Sequence, residues 1–210
     1  MLITLAGHAP SAELLQWHAE EADLTIAVDG GWLAYRHAGV EPNVILGDFD
    51  SAGDLSDVDK IFPRSVLHEL KDQNSTDFEK ALNWLKDRDL PQKVVILGGL
   101  GKRMDHTLSN LMIAARVDKA VKIVFDDLHE FVSRITPQTP LSIGGRTGTR
   151  LSILPIGECQ GVKSSGLEWE LENINFSWDK MISQSNCCLS DDVRVTCKSG
   201  VLYGFVPKGA

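Results

Sequence analysis

The first 135 residues alternate between short apolar runs and segments whose apolar residues recur with helical spacing. Five runs are apolar nearly throughout: LITLAG (2–7), LTIAV (24–28), NVILG (43–47), KVVILG (93–98) and VKIVF (121–125). A strand covered on one face alternates, whereas one covered on both does not, so these five predict buried strands. Between them, Leu14, Leu15, His18, Ala19 and Ala22 mark one helical face. Phe78, Ala81, Leu82 and Leu85 mark a second, and Leu108, Leu111, Met112 and Ala115 a third, both at i, i+3, i+4, i+7. Such alternation predicts a largely parallel sheet with helices on both sides.

The rhythm breaks at TPQTPLSIGGRTG (136–148), where prolines and glycines mark a boundary. Beyond it, RLSILPI, LEWELEN, VRVTC and VLYGFV are short runs separated by turns, with no helical period. They predict an all-β domain of sandwich or barrel type. The expected fold class is therefore α/β: a largely parallel α/β domain over 1–135, then a small all-β domain over 136–210.

Composition adds exclusions. With 43% hydrophobic and 24% charged residues the 210-residue chain is ordinary globular material. A net charge of −8 argues against a nucleic-acid backbone as main partner. No apolar run approaches the ~20 residues of a membrane span. The opening MLITLAGHAPSAELL has no basic segment and reads as a strand entering a helix, not as a signal peptide. Cysteines 159, 187, 188 and 197 form no CxxC pair, which suits small apolar fillers in a reducing cytoplasm.

The polar residues concentrate at strand ends. TIAV runs into Asp29-Gly30-Gly31, VIL into Gly47-Asp48-Phe49-Asp50, VVIL into GGLGKRMDH (98–106), and KIVF into Asp126-Asp127. In an open parallel sheet those carboxyl ends share one edge, and the ligand crevice forms there. Asp48 and Asp50 point to the same side of an extended segment. At ~5 Å and an effective dielectric near 20 they repel by about 3 kcal/mol, which a hard divalent cation would offset. The plainer alternative is a solvated turn. From Asp48 the pattern D-x-D-x-x-G also opens like a calcium loop, but Ala52 at position five, Asp59 at position twelve and a preceding strand speak against it.

In DQNSTDFEKAL (72–82), Thr76 and Glu79 have capping-box spacing, with Asp77 in the first helical turn. A carboxylate there can also face a metal across the crevice. GGLGKRMDH offers glycines that admit a ligand to the backbone, N–H groups at a helix start that attract anions, and Arg103 with two donors for phosphate oxygens. It is neither a Walker A loop nor a GxGxxG fingerprint, and Asp105 can simply pair with Lys102 and Arg103. The six histidines form no metal-ligand cluster; His18, on an apolar face, is expected in the core.

Taken in order, DGG, GDFDS, DQNSTDFEKAL and GGLGKRMDH, followed by SSGLEWEL (164–171) and SQSN (183–186), resemble the thiamine pyrophosphokinase family over most of the chain. The resemblance implies a nucleotide-binding α/β domain followed by a β-sandwich domain, in a homodimer. It implies transfer of pyrophosphate from ATP to the hydroxyl of thiamine, giving thiamine diphosphate and AMP. By the same resemblance, Asp48, Asp50 and Asp77 hold Mg²⁺, and Asp29 and Asp105 line the same acidic site. Arg103 joins these acids in catalysis. Asp29, Gly30, Gly31, Gly98, Gly99, Gly101, Lys102 and Arg103 surround the nucleotide. Trp169 stacks on the thiamine ring system, with Ser164, Ser165, Ser185 and Asn186 as polar contacts offered across the dimer interface.

The alternative for Trp169 is a core position, since Leu167, Trp169 and Leu171 share a face if LEWEL is a strand. Four residues at three places depart from the family pattern: Trp32-Leu33 replaces Ala and a polar residue, Lys102 replaces Gly, and Asn74 stands for an acid. Trp32 and Lys102 are therefore expected to reshape the nucleotide pocket. Two other functions compete: pyrophosphoryl transfer to another hydroxymethyl compound such as a pterin, and a non-catalytic thiamine- or nucleotide-binding module. A pure binder would not need the acidic cluster.

Overall fold

The structure is a computed structural model that describes residues 1–47, 55–70, 72, 74–86, 88 and 91–209, with the backbone alone for 55–57. The chain separates into two compact units that do not follow one cut in the sequence. The first comprises residues 1–113 and 125–128, the second 114–124 and 129 onward.

The first unit is built on β1 (Leu2–Thr4), α1 (Ala12–Glu20), β2 (Thr25–Val28), a 3₁₀ turn (Asp29–Gly31), α2 (Trp32–Ala38), β3 (Val44–Gly47), α3 (Leu55–Ile61), β4 (Val66–Glu69), α4 (Asp77–Leu85), β5 (Lys93–Leu97) and α5 (Met104–Ala114). The division between the units falls within β6 (Lys122–Asp126). The strands of the first unit run in the order β4-β3-β2-β1-β5, and every pair is parallel. β1 lies centrally, with Ile3 opposite Ile26 on one side and Ile96 on the other. β2 and β3 are buried at every position, the burial that their unbroken apolar runs imply.

Helices cover the sheet as the periodicity requires. Ser11 caps α1, its Oγ accepting from Leu14 N at 3.2 Å, and α1 buries Leu15 and His18. His18 is a core residue, its Nε2 2.7 Å from Asp126 Oδ2. α4 buries Phe78, Ala81 and Leu85. On α5 the buried apolar residues are Leu111, Ile113 and Ala114, while Leu108 and Met112 stay exposed. The apolar stripe of α5 is thus wider than the face the surrounding protein covers. The periodicity did not mark α2, α3 or β4. β4 is an edge strand with no buried residue, so its sequence carries no apolar run.

The second unit contains β7 (Glu130–Ile135), β8 (Leu141–Gly144), β9 (Arg150–Ser165), β10 (Glu172–Phe176), β11 (Ser183–Cys187), β12 (Asp192–Thr196) and β13 (Ser199–Pro207), with no helix among the described residues beyond 136. All pairings are antiparallel, in the order β7-β13-β9-β12-β8, with β10 and β11 also on β9. The 16-residue β9 organises the unit. Its first half pairs with β13 and β11, its second with β12 and β10, as when one strand passes between two layers. Leu151, Ile153, Val162, Phe176, Val195 and Leu202 anchor its core.

LEWELEN departs from expectation. Residues 166–171 form a turn, and only Glu172 and Asn173 belong to a strand. Leu167 and Leu171 are buried, but Trp169 is 56% exposed. The alternation that would have put all three on one face has no strand to act through.

Candidate active site

A cleft of about 620 Å³ opens in the first unit at the carboxyl ends of β1, β2 and β5 and the N-termini of α4 and α5. This is the edge on which a parallel sheet collects its loops. Asp29, Asp77, Gly98, Gly99, Gly101, Lys102, Arg103 and Asp105 all line it. Gly30 and Gly31 lie in the 3₁₀ turn that starts at Asp29 and do not line it. A Cβ at Gly31 would meet the carbonyl oxygen of Thr4 at 2.2 Å, so this glycine serves close packing. Asp48 and Asp50 lie outside the described residues.

Local structure accounts for each side chain. Thr76 caps α4: its Oγ1 accepts from Glu79 N at 3.2 Å, and Glu79 Oε2 accepts from Thr76 N at 3.1 Å. That capping box places Asp77 at the first helical position, facing the cleft. The loop after β5 lies against the loop after β1, with Gly7 N donating to Gly98 O at 2.9 Å. Gly98 has φ +63°, and a Cβ there would sit 2.3 Å from Leu5 O, so no other residue fits. Asp29 and Lys102 also have positive φ, 46° and 56°, without being glycine. Backbone held in that region by its surroundings is characteristic of ligand sites.

The cations have defined partners. Arg103 grips Asp105 with two bonds, Nη2 to Oδ2 at 2.5 Å and Nε to Oδ1 at 3.1 Å, both side chains exposed. These bonds hold the Asp105 carboxyl below its ordinary range and raise the Arg103 guanidinium. Lys102 Nζ donates to Ala6 O at 3.2 Å. Asp72 accepts from Asn74 N at 2.9 Å and from the Ser75 hydroxyl at 2.5 Å, and these bonds hold its carboxyl low. Trp32, expected to reshape the pocket, is instead buried in the core, edge-on to Phe62.

Several lining or supporting residues escaped the sequence reading. Ala6, Gly7, Ser109 and Asn110 line the cleft, and Asn110 Nδ2 donates to Gly99 O at 2.8 Å. Lys80, buried on α4, donates to Asp77 Oδ1 at 3.2 Å. Its signal was available, since a residue three positions after an acid shares its helix face.

Among the described residues no three His, Cys, Asp or Glu side chains converge as a metal site. Asp29 and Asp77 supply hard carboxylate oxygens, the donor chemistry that Mg²⁺ selects. The donor set that is described therefore fits the expected ion.

The other expected site residues belong to the second unit. Ser164 and Ser165 are the last two residues of β9, Trp169 lies in the following turn, and Ser185 and Asn186 lie in β11. Trp169 N donates to Asn186 Oδ1 at 3.1 Å, and Asn186 Nδ2 donates back to Trp169 O at 2.8 Å. Ser165 and Ser185 are exposed. Ser185 has φ +55°, its N–H donating to Ser152 Oγ at 3.0 Å.

Family models match both parts. The catalytic domain of thiamin pyrophosphokinase matches residues 15–125, and the vitamin B1 binding domain of thiamin pyrophosphokinase matches residues 136–202. The chain belongs to the thiamin pyrophosphokinase family. Thiamin pyrophosphokinase 1 of Caenorhabditis elegans is 32% identical, over 88% of this chain and 79% of that protein. Thiamine pyrophosphokinase 2 of Arabidopsis thaliana is 27% identical, over 96% of this chain and 84% of its own length. The crystal structure of thiamine pyrophosphokinase from Bacillus subtilis has the same fold, with a TM-score of 0.82 at 24% identity, covering 100% of this chain and 99% of that one. Within the thiamin pyrophosphokinase family frame, the catalytic-domain match takes in the cleft from Val28 onward, and the B1-binding match takes in Ser164 to Asn186.

Proposed function

We propose that this protein transfers pyrophosphate from ATP to the hydroxyl of thiamine. The hydroxyl oxygen bonds to the β-phosphorus, the bond from that phosphorus to the α–β bridging oxygen breaks, AMP leaves, and the hydroxyl proton is released. The observation that carries the proposal is one cleft in which carboxylates Asp29, Asp77 and Asp105 meet cations Lys102 and Arg103 beside a glycine loop. Opposite charges gathered beside open backbone suit a metal-bound polyphosphate.

In this reading the N–H groups of the 98–101 loop and the start of α5 receive phosphate oxygens. Lys102 neutralises them as a point charge, and Arg103, held by Asp105, offers the remainder of its donor fork. Asp77, with Asp48 and Asp50, would hold Mg²⁺. When bound, the ion neutralises the triphosphate and fixes the β-phosphorus for in-line attack. Trp169 presents an exposed aromatic face suited to a cationic thiazolium.

We also take the protein to be a cytoplasmic homodimer. Its four cysteines are free, which suits a reducing compartment, and exposed Trp178, Ile182 and Leu189 offer apolar surface to a second copy. No helix among the described residues is long and apolar enough to cross a membrane. Incubation with ATP, Mg²⁺ and either thiamine or a pterin alcohol, with assay for AMP, tests the assignment. AMP formed only with thiamine supports it; AMP formed only with the pterin, or with neither, overturns it. Light scattering at the mass of one chain would remove the dimer.

A further inference from the structure

The side chain of Asn186 is 1% exposed, and the four hydrogen-bonding capacities of its amide are all used. Oδ1 accepts from Trp169 N at 3.1 Å and from Cys187 N at 2.9 Å. Nδ2 donates to Trp169 O at 2.8 Å and to Ser183 Oγ at 3.4 Å. An amide so engaged has nothing left for a substrate. Its two bonds to Trp169 instead fix both backbone polar groups of one exposed residue.

The rest of the turn is held in the same manner. Buried Leu167 and Leu171 anchor it on either side of Trp169. Leu167 N donates to Glu170 Oε1 at 3.0 Å, and the same carboxylate accepts from the Ser164 hydroxyl. Ser164 Oγ in turn accepts from Leu171 N at 2.8 Å, and Glu168 N donates to Cys187 O at 2.9 Å. This is a dense network for a turn whose central side chain faces solvent. Such bonding has a use if the indole must be ordered before a ligand arrives, because ordering a side chain during binding costs affinity.

We infer that Asn186, supported by Ser164 and Glu170, is a positioning residue that holds Trp169 as a preformed stacking platform, and that it does not contact the substrate. This rests on the assignment of Trp169 to thiamine. The exposed hydroxyls of Ser165 and Ser185 take no part in the network and remain available to a ligand.

The test measures thiamine Kd by calorimetry, and KM for thiamine and ATP, in Asn186→Asp, Trp169→Ala, the double variant and Glu170→Ala. Asn186→Asp keeps the shape and the two bonds accepted by Oδ1, but replaces the donating Nδ2 with an acceptor oxygen that faces Trp169 O. It should raise thiamine Kd about fivefold to tenfold while the KM for ATP stays within about twofold. The double variant should bind thiamine no worse than Trp169→Ala alone, because a clamp without its tryptophan has nothing to position. Glu170 is exposed, so Glu170→Ala tolerates substitution and should shift Kd in the same direction if Asn186→Asp does not fold. Unchanged thiamine Kd in both folded clamp variants, or effects that multiply with that of Trp169→Ala, would overturn the inference. Unchanged Kd in Trp169→Ala would instead overturn the assignment of Trp169, and the inference with it.

Discussion

Nζ of Lys80 lies 3.2 Å from Oδ1 of Asp77, three residues back at the start of α4. The lysine side chain is 5% exposed and the aspartate 45%, so a buried cation orients a carboxylate that remains open to the cleft. Lys80 thus supports a proposed metal ligand from behind. Loss of such a supporting partner typically costs 10–100-fold in metal affinity or activity, so Lys80→Met should lower turnover by about that factor and raise the Mg²⁺ concentration required. Metal titration of AMP release checks this, together with Mn²⁺ binding followed by electron paramagnetic resonance. Unaltered metal binding would reduce Lys80 to a packing role.

Lys102 occupies backbone, φ +56°, that glycine adopts more cheaply. The left-handed region costs other residues about 1–2 kcal/mol, partly offset by the greater chain entropy that glycine loses on folding. Lys102→Gly should therefore leave stability equal or raise it by up to about 1 kcal/mol in urea, and should raise the KM for ATP severalfold. Lys102→Ala keeps the backbone strain and should lose only the ammonium. Equal KM values in all three proteins would exclude contact with phosphate.

Arg134 is fully buried, and its guanidinium binds carbonyls that belong with it to the second unit. Nη1 donates to Ala114 O and Val117 O at 2.8 and 2.7 Å, and Nη2 to Asp118 O and Val121 O at 2.6 and 2.5 Å. Burial opposes the charge and pushes the guanidinium pKa down, but these carbonyl dipoles stabilise it. Arg134→Met strands four acceptors and should cost about 3–5 kcal/mol in urea unfolding. A loss under 1 kcal/mol would mean that water replaces the guanidinium.

The thiols supply a pH signature. Burial pushes Cys197 from 9.0 to about 11, and raises Cys159 and Cys188 as well. A raised thiol pKa favours the protonated folded form. Between pH 9 and about 11 the unfolded chain loses this proton while the folded one keeps it, so stability should fall as pH rises through that window. At pH 8, Cys187, the only one of the four not buried, should react first with an aromatic disulfide reagent, and all four should react after unfolding. Prompt reaction of four thiols in the folded protein would contradict the burial.

The five apolar runs were legible because a strand covered on both faces must be apolar throughout, and β1, β2, β3, β5 and β6 formed where those runs lie. The gathering of Asp29, Asp77 and the 98–105 segment was legible for a related reason, since parallel strands present their carboxyl ends on one edge. β4 was not legible, because an edge strand needs no apolar face. The setting of Trp169 was not legible either, because an alternating pattern reads the same in a strand and in a turn pinned by two leucines.

The amino-acid order alone therefore determined the α/β-then-β architecture, the family, and which loops hold the acids and cations, because periodicity and short motifs act over neighbouring residues. Only the tertiary structure decided that Lys80 is buried behind Asp77, that Trp32 belongs to the core, and that Asn186 turns inward to hold Trp169. Those outcomes depend on which atoms fold against which. Burial and hydrogen bonding between residues 17 positions apart leave no local pattern to read.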